Sequence, residues 1–466
     1  MLDSVATWSA TALARAVRDK EISSVELLAT YLDRIDRLDG PINAVVTLDA
    51  ERARRAAQAA DAATMRGESY GPLHGLPITI KDAIATEGIR STGGAPELSE
   101  HVPDDDAPAV AQLKAAGAIV FGKTNLPRWS GDMQSFNDVF GTTNNPWDVE
   151  RVPGGSSGGA AAAVACGFTS FELGTDIGGS VRLPSHFCGV FGLKPSFGLV
   201  PQRGYLSHVG AGTTDADINV FGPIARSAED LDLLLGVLAG PAPESAVAWR
   251  VELPPSDATS LRGQRVGVWF DDPGCPIEAE YLTVLRATAD RMSDAGARVE
   301  EAHPPVEFAQ QTRLFFQLVA AAASLSSPES PDGPGTQLHR AWLQAQEQRA
   351  HLQTIWAEWF EDHDALLCPV APGPAFRHDH TGTVMDRYLE IDGAKRSHAE
   401  LALWNGLIGV LGLPSAVPPV ARTGAGLPLG VQVVTPYLHD RRAVRLAGFV
   451  GDISAGYTPP PGFGPC

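Results

Sequence analysis

The stretch GTDIGGSVRLP, residues 174–184, sets Ser180 behind two glycines and two residues ahead of Arg182. A second cluster, PGGSSGG (153–159), lies upstream and carries Ser156. Gly/Ser runs are often linkers, but these two sit between apolar segments. Ala160–Cys166 follows the upstream cluster as a helix-forming run, and Phe187–Leu193 follows the Ser180 stretch. Linkers are not usually embedded between core elements. Farther upstream, PITIKD (77–82) places Lys81 at the end of an apolar run, Leu76 to Ile80, that reads as a buried strand. Strand, glycine loop and helix in alternation point to an α/β fold.

These residue types suit one chemistry. A serine hydroxyl is a weak nucleophile until a base takes its proton. Lysine serves as that base only when neutral, and its free pKa is about 10.4, so it must be desolvated or set near positive charge. Ser156 would bridge Lys81 and Ser180 and pass the proton between them. Glycine tolerates positive φ, so Ile177, Gly178, Gly179 and Ser180 could turn successive N–H groups inward as a nest for an oxyanion. Asp176 and Arg182 read as a pair that fixes the loop's shape. The target is an amide-like carbonyl.

Six motifs in order extend this reading: GPLHGLPITIKDA (71–83), FGKTNLP (121–127), NPWD (145–148), PGGSSGGAAAAVA (153–165), GTDIGGSVRLP (174–184) and FCGVFGLKPS (187–196). With the tail segment GLPSAVPPVARTGAGLPLGVQVV (412–434), the chain resembles the amidase signature family of serine amidases from about residue 8 to 450. The resemblance implies Ser180 as nucleophile, Ser156 as a bridging serine held by a cis peptide bond, Lys81 as base, and the backbone of Ile177, Gly178 and Gly179 as oxyanion hole. It implies an α/β fold, a mixed central sheet surrounded by helices. The whole of 1–466 is expected to be one domain: a motif core at about 65–240, and a C-terminal part at about 261–450 that returns to the same sheet.

Glutamine-dependent transamidase subunits of this family usually carry glutamine after the loop arginine, where this chain has Leu183; many small-amide members have Thr-Glu-Asn where it has Ser135-Phe136-Asn137. Both changes replace polar groups with apolar ones. GTDIGGSVRLPSHFCG instead looks like the fatty-acid-amide-hydrolase-like branch. The family's substrate pocket is usually lined where Trp129, Met133, Phe136, the 202–214 loop and Trp404 stand, which suggests an apolar or aromatic group. Glycines 204, 210 and 212 would let that loop gate access. The expected activity is hydrolysis of apolar or aryl amides through an acyl-enzyme, with no cofactor and no metal. Carbamate (urethane) and ester hydrolysis with the same triad, and a subunit role in a glutamine-dependent transamidase, remain alternatives.

Composition bounds the partners. The chain has 466 residues, 44% hydrophobic and 20% charged, in the range of soluble globular proteins. A net charge of −19 disfavours nucleic acid and anionic membrane, both of which need basic patches. Five widely spaced cysteines without a CxxC pair read as buried free thiols in a reducing cytoplasm. The N-terminus lacks a signal-peptide pattern, and no apolar run reaches the length of about 20 residues that spans a bilayer. The expectation is a cytoplasmic monomer or homodimer acting on a small molecule.

Residues 8–65 read as helices, with Ser24 as an N-cap and Ala50–Arg66 as a solvated helix. Helices are expected over Asp104–Ala116, Glu278–Ala297, 308–324 and 336–362, strands over Ala118–Phe121 and Arg265–Phe270, and a mobile loop over Ser326–Gly335. Gly117–Thr124 fits the P-loop pattern letter for letter, but its apolar middle favours a buried strand ending at Gly122. Gly154–Gly158 fits GxSxG, yet His378, His380, His398 and His439 downstream lie in no distinctive context. His74 and His186 read as structural, His378-Asp379-His380 as a solvated loop, and Asp104–Asp106 as a charged loop before a helix.

Overall fold

The computed structural model describes residues 2–326 and 338–464. An eight-stranded mixed sheet forms the centre. Its strand order is Arg298–Glu301, Arg265–Val268, Ala365–Cys368, Gln432–Val434, Ser415–Val417, Phe191–Lys194, Val220–Ala225 and Glu172–Asp176. Arg265–Val268 pairs in parallel with both of its neighbours; the remaining pairings are antiparallel. Strands from both halves of the chain thus share one sheet, and helices cover it. The fold is a single mixed α/β domain.

A three-stranded sheet sits beside it, with Ile119–Thr124 between Val45–Leu48 and Pro77–Lys81. All five residues of Pro77–Lys81 are buried, as a strand flanked on both faces requires. That strand packs against Glu172–Asp176 at the edge of the large sheet. The helix Gly158–Cys166 is buried along its whole length and is built almost entirely of Gly and Ala. Small side chains let it approach the surrounding strands closely.

Several elements differ from the sequence reading. The helical stretch 8–65 is interrupted by the strand Val45–Leu48, between the helices Ser24–Leu38 and Ala50–Met65. The cap is Ser23, not Ser24: Ser23 accepts from the Glu26 amide, and the Glu26 carboxylate accepts from the Ser23 amide in a capping box. Helix Ala50–Met65 buries Ala53, Ala57, Ala60 and Ala63, so one of its faces is core rather than solvated. The helix near 104–116 spans only Pro108–Ala115. The Ile119–Thr124 strand continues past Gly122, and Lys123 is fully buried, donating to Ile84 O and Thr86 Oγ1. That lysine is unable to reach a phosphate, which removes the P-loop alternative. The loop expected over Ser326–Gly335 falls, apart from Ser326, outside the described residues.

Candidate active site

Lys81 ends its strand with its ammonium nitrogen directed across to the large sheet. Nζ lies 2.6 Å from Ser156 Oγ and 2.8 Å from Thr175 Oγ1. The side chain is fully buried. Burial drives its pKa well below the usual lysine value, against the opposing pull of Asp176 and Glu172. Sequence reasoning did not single out Thr175. It sits one residue before Asp176 in the motif, on the strand face that meets Lys81.

Ser156 follows a cis peptide bond from Gly155. Its loop fits tightly: a Cβ on Gly155 would stand 2.5 Å from the Met133 carbonyl carbon and 2.6 Å from Asp132 O. Ser135 stitches this loop together. Its hydroxyl donates to Gly154 O at 3.0 Å and accepts from the Gly158 amide at 3.0 Å. Among the described residues Lys81 is the hydrogen-bond partner of the Ser156 hydroxyl, and no histidine approaches it. The elbow reading with a downstream histidine therefore finds no geometry. His186 is buried between Gly373 O and the Gly430 amide, and burial holds its pKa down at about 4. His74 is tied to Thr64, Tyr70 and Ala60. Among the described residues no group of His, Cys, Asp and Glu is arranged to hold a metal ion.

Ser180 is reached from the strand Glu172–Asp176 through the glycine loop. The Ser157 amide donates to Ser180 O at 3.1 Å, which joins the two serine loops. No hydrogen bond joins the Ser180 and Ser156 hydroxyls, so that link of the expected relay is open. Asp176 organises the loop. It accepts from the Gly179 and Val181 amides at 2.9 and 3.0 Å and forms a two-pronged, fully buried pair with Arg182. Burial alone would raise its pKa, but the Arg182 charge and hydrogen bonds overcome that and hold it at about 2. Arg182 in turn donates to Asn405 O and to Gln432 Oε1 at 2.9 and 2.7 Å.

The Gly179 amide is therefore already engaged, contrary to its expected place among the oxyanion donors. Ile177 and Gly178 line the cavity that holds Ser180. Gly179 has φ +112°, and a Cβ there would meet Asn405 Nδ2 at 2.4 Å.

That cavity encloses about 300 Å³. Trp129 and Met133 line it, as expected, and so do Tyr205 and Ser207 of the 202–214 loop. Phe136 and Trp404 do not. Phe136 stacks on His380 at 3.9 Å, with the Arg387 guanidinium 5.5 Å from its ring centre. Trp404 is buried against Trp269 and Phe308, its indole N–H donating to Cys275 O. Both are supports behind the cavity. The sequence reading missed Phe315, Phe316 and Val319, which reach the cavity from the helix Phe308–Ala322, and Met385 at its rim. Asp132 is the acidic residue of the lining, and Arg387 pairs with it at 2.7 Å. A larger depression of about 880 Å³ beside the helices Ala228–Leu238 and Asp440–Asp452 contains none of these residues.

Comparison with known proteins agrees with this architecture. The family model described as Amidase matches residues 26–332 and 332–444. A glutamyl-tRNA(Gln) amidotransferase subunit of Moorella thermoacetica is 34% identical over 461 residues, covering 89% of this chain and 90% of that protein. Among solved structures, a chain from an inhibitor-bound vestigial complex, related to the origins of an s-triazine catabolic enzyme, superposes with a TM-score of 0.84. It is 26% identical and covers 97% of this chain and 99% of its own. A bacterial aryl acylamidase of the amidase signature family superposes with a TM-score of 0.80 at 26% identity, covering 96% and 97%.

Proposed function

Because the chain belongs to the amidase family, we propose that it is a serine hydrolase of carbon–nitrogen bonds that acts on amides with an apolar or aryl acyl group. The observation that carries this reading is the buried Lys81 amine 2.6 Å from Ser156 Oγ, in a setting that favours its neutral form. Ser180 Oγ attacks the carbonyl carbon. Its proton passes through Ser156 to Lys81 and returns to the leaving nitrogen as the C–N bond breaks. Water then cleaves the acyl-serine ester by the reverse route. Substrate would close the open Ser180–Ser156 link, since catalytic hydrogen bonds often tighten only in the complex. Ile177 and Gly178 supply the N–H donors for the oxyanion.

The cavity supports an uncharged acyl group. Trp129, Met133, Phe315, Phe316 and Val319 make its walls largely apolar, and the Asp132 carboxylate is neutralised by Arg387. Carbamates and esters present the same carbonyl and belong within this mechanism.

A second reading, as one component of a glutamine-dependent amidotransferase, is favoured by the name of the Moorella thermoacetica relative. It requires a site for the α-ammonium and α-carboxylate of glutamine, and no unpaired cation is among the described lining residues. Intact-mass measurement with an activated fluorophosphonate tests the first reading. One adduct on the wild type and none on Ser180→Ala, followed by turnover of an aryl amide without a partner protein, is the expected result. Glutaminase activity that appears only with a co-purified partner would decide for the second.

A further inference from the structure

A second cavity of about 540 Å³ adjoins the one that holds Ser180. Tyr205, Ser207, Ala216 and Ala322 line both, so the two share a wall. Their linings differ in kind. The second carries Asp215, Asp217, His208, His339 and Trp342, and among the described residues no lysine or arginine lines it. Asp217 Oδ2 accepts from neutral donors, the Trp342 indole N–H at 2.9 Å and Gln346 Nε2 at 3.2 Å, which turn the tryptophan and the carboxylate into one edge of the chamber. Arg349, which is not part of the lining, donates to the backbone oxygen of Asp217 at 2.9 Å, and its charge is felt by that carboxylate. Asp215, by contrast, is exposed to the chamber side of the loop, and no ion pair holds it among the described residues.

Hydrolysis of an amide at Ser180 divides the substrate into an acyl part held on the serine and an amine part released from it. The apolar cavity suits the acyl part. We propose that the second chamber receives the leaving-amine part, and that it selects amines bearing a positive charge remote from the scissile nitrogen. Carboxylates attract such a charge and an indole face adds a cation–π contribution. The C–N bond that breaks releases this amine with the proton first taken from Ser180, so nothing beyond water is consumed. The proposal rests on the hydrolase reading above.

Two amides of one aryl acid test it, an N-(3-aminopropyl) amide and its near-isosteric N-butyl amide. The ratio of their kcat/KM values is measured on the wild type, Asp215→Asn and Asp217→Asn. The cationic amide is expected to be favoured by about threefold or more at low ionic strength, as Coulomb attraction at a partly solvated site allows. The ratio should fall in at least one variant. The variants cancel any intrinsic difference in reactivity between the two substrates. A ratio of one or below in the wild type, or a ratio that neither variant changes, overturns the proposal and leaves the hydrolase standing if the butyl amide is cleaved. Cleavage of neither amide, with no fluorophosphonate adduct on Ser180, overturns both.

Discussion

Asp176 Oδ1 accepts the Gly179 amide at 2.9 Å, so the carboxylate at the end of a strand fixes the backbone just before Ser180. The same carboxylate grips Arg182 beyond the serine. Ser180 is thus presented by a loop closed on both sides by one buried anion. That arrangement explains why the motif needs Asp176 and Arg182 together although neither reaches the carbonyl.

Replacing Asp176 should unlatch this loop. Asp176→Asn leaves Arg182 buried without its counter-ion, which costs about 3–5 kcal/mol of stability. The Asp176 pKa lies at about 2, below its ordinary 3.8, so the carboxylate's contribution is fully present above about pH 4 and fades as pH falls toward 2. Denaturant unfolding at pH 7 should show the full deficit of the variant. Equal stability of the two proteins at pH 7 would contradict this.

The proton relay has its own pH signature. Lys81 accepts a proton only when neutral, and burial lowers its pKa well below 10.5. The kcat/KM of the wild type should rise with pH and level off well before an ordinary lysine would titrate. Lys81→Ala should lose about a thousandfold or more and show no such rise. A single inflection at about pH 6.5 in a Lys81→Ala protein that keeps its activity would point to a histidine base.

Gly179→Ala probes the close packing behind the nucleophile. The new methyl would have to displace Asn405 from a 2.4 Å approach, at a positive φ that alanine resists. A loss of about 1–3 kcal/mol in stability is expected, with a fall in kcat larger than any change in KM. An active variant with an unchanged melting temperature would mean that the loop relaxes freely.

Met133 and Trp404 should separate by phenotype. Met133 lines the cavity, and Met133→Ala should change discrimination among aryl acyl groups of different size by about tenfold or more, with little loss of stability. Trp404 lies in the core behind it, and Trp404→Ala should cost about 3–5 kcal/mol without reordering substrates. Measuring both quantities on both variants checks the assignment; a reordering by Trp404→Ala alone would reverse it.

The parts legible in the sequence were those with local causes. The apolar run before Lys81 could be read as a strand, and the glycines around Ser156 and Ser180 as loops, because periodicity and backbone freedom act over a few residues. Which side of a residue faces the cavity was not local. Phe136 turned to His380 and Trp404 to Trp269 because of partners far along the chain. A helix over 308–324 was legible, but only its packing over the glycine loop makes Phe315 and Phe316 cavity walls. Strand Val45–Leu48 escaped notice because it is short and only half-buried at the edge of its small sheet. Gly179 read as an oxyanion donor from glycine's backbone freedom and the family resemblance, and neither reveals that Asp176 takes its N–H.

Arg182 reaches Gln432 Oε1 across 250 positions of chain, on a strand that lies near the middle of the large sheet. The loop that presents Ser180 is therefore braced by a residue synthesised long after its own motif. A nascent chain that has exposed every one of the signature motifs still lacks that brace. The contact set around the reactive serine loop is complete only where the strand carrying Gln432 is docked, and a chain truncated before Gln432 carries the motifs without that brace.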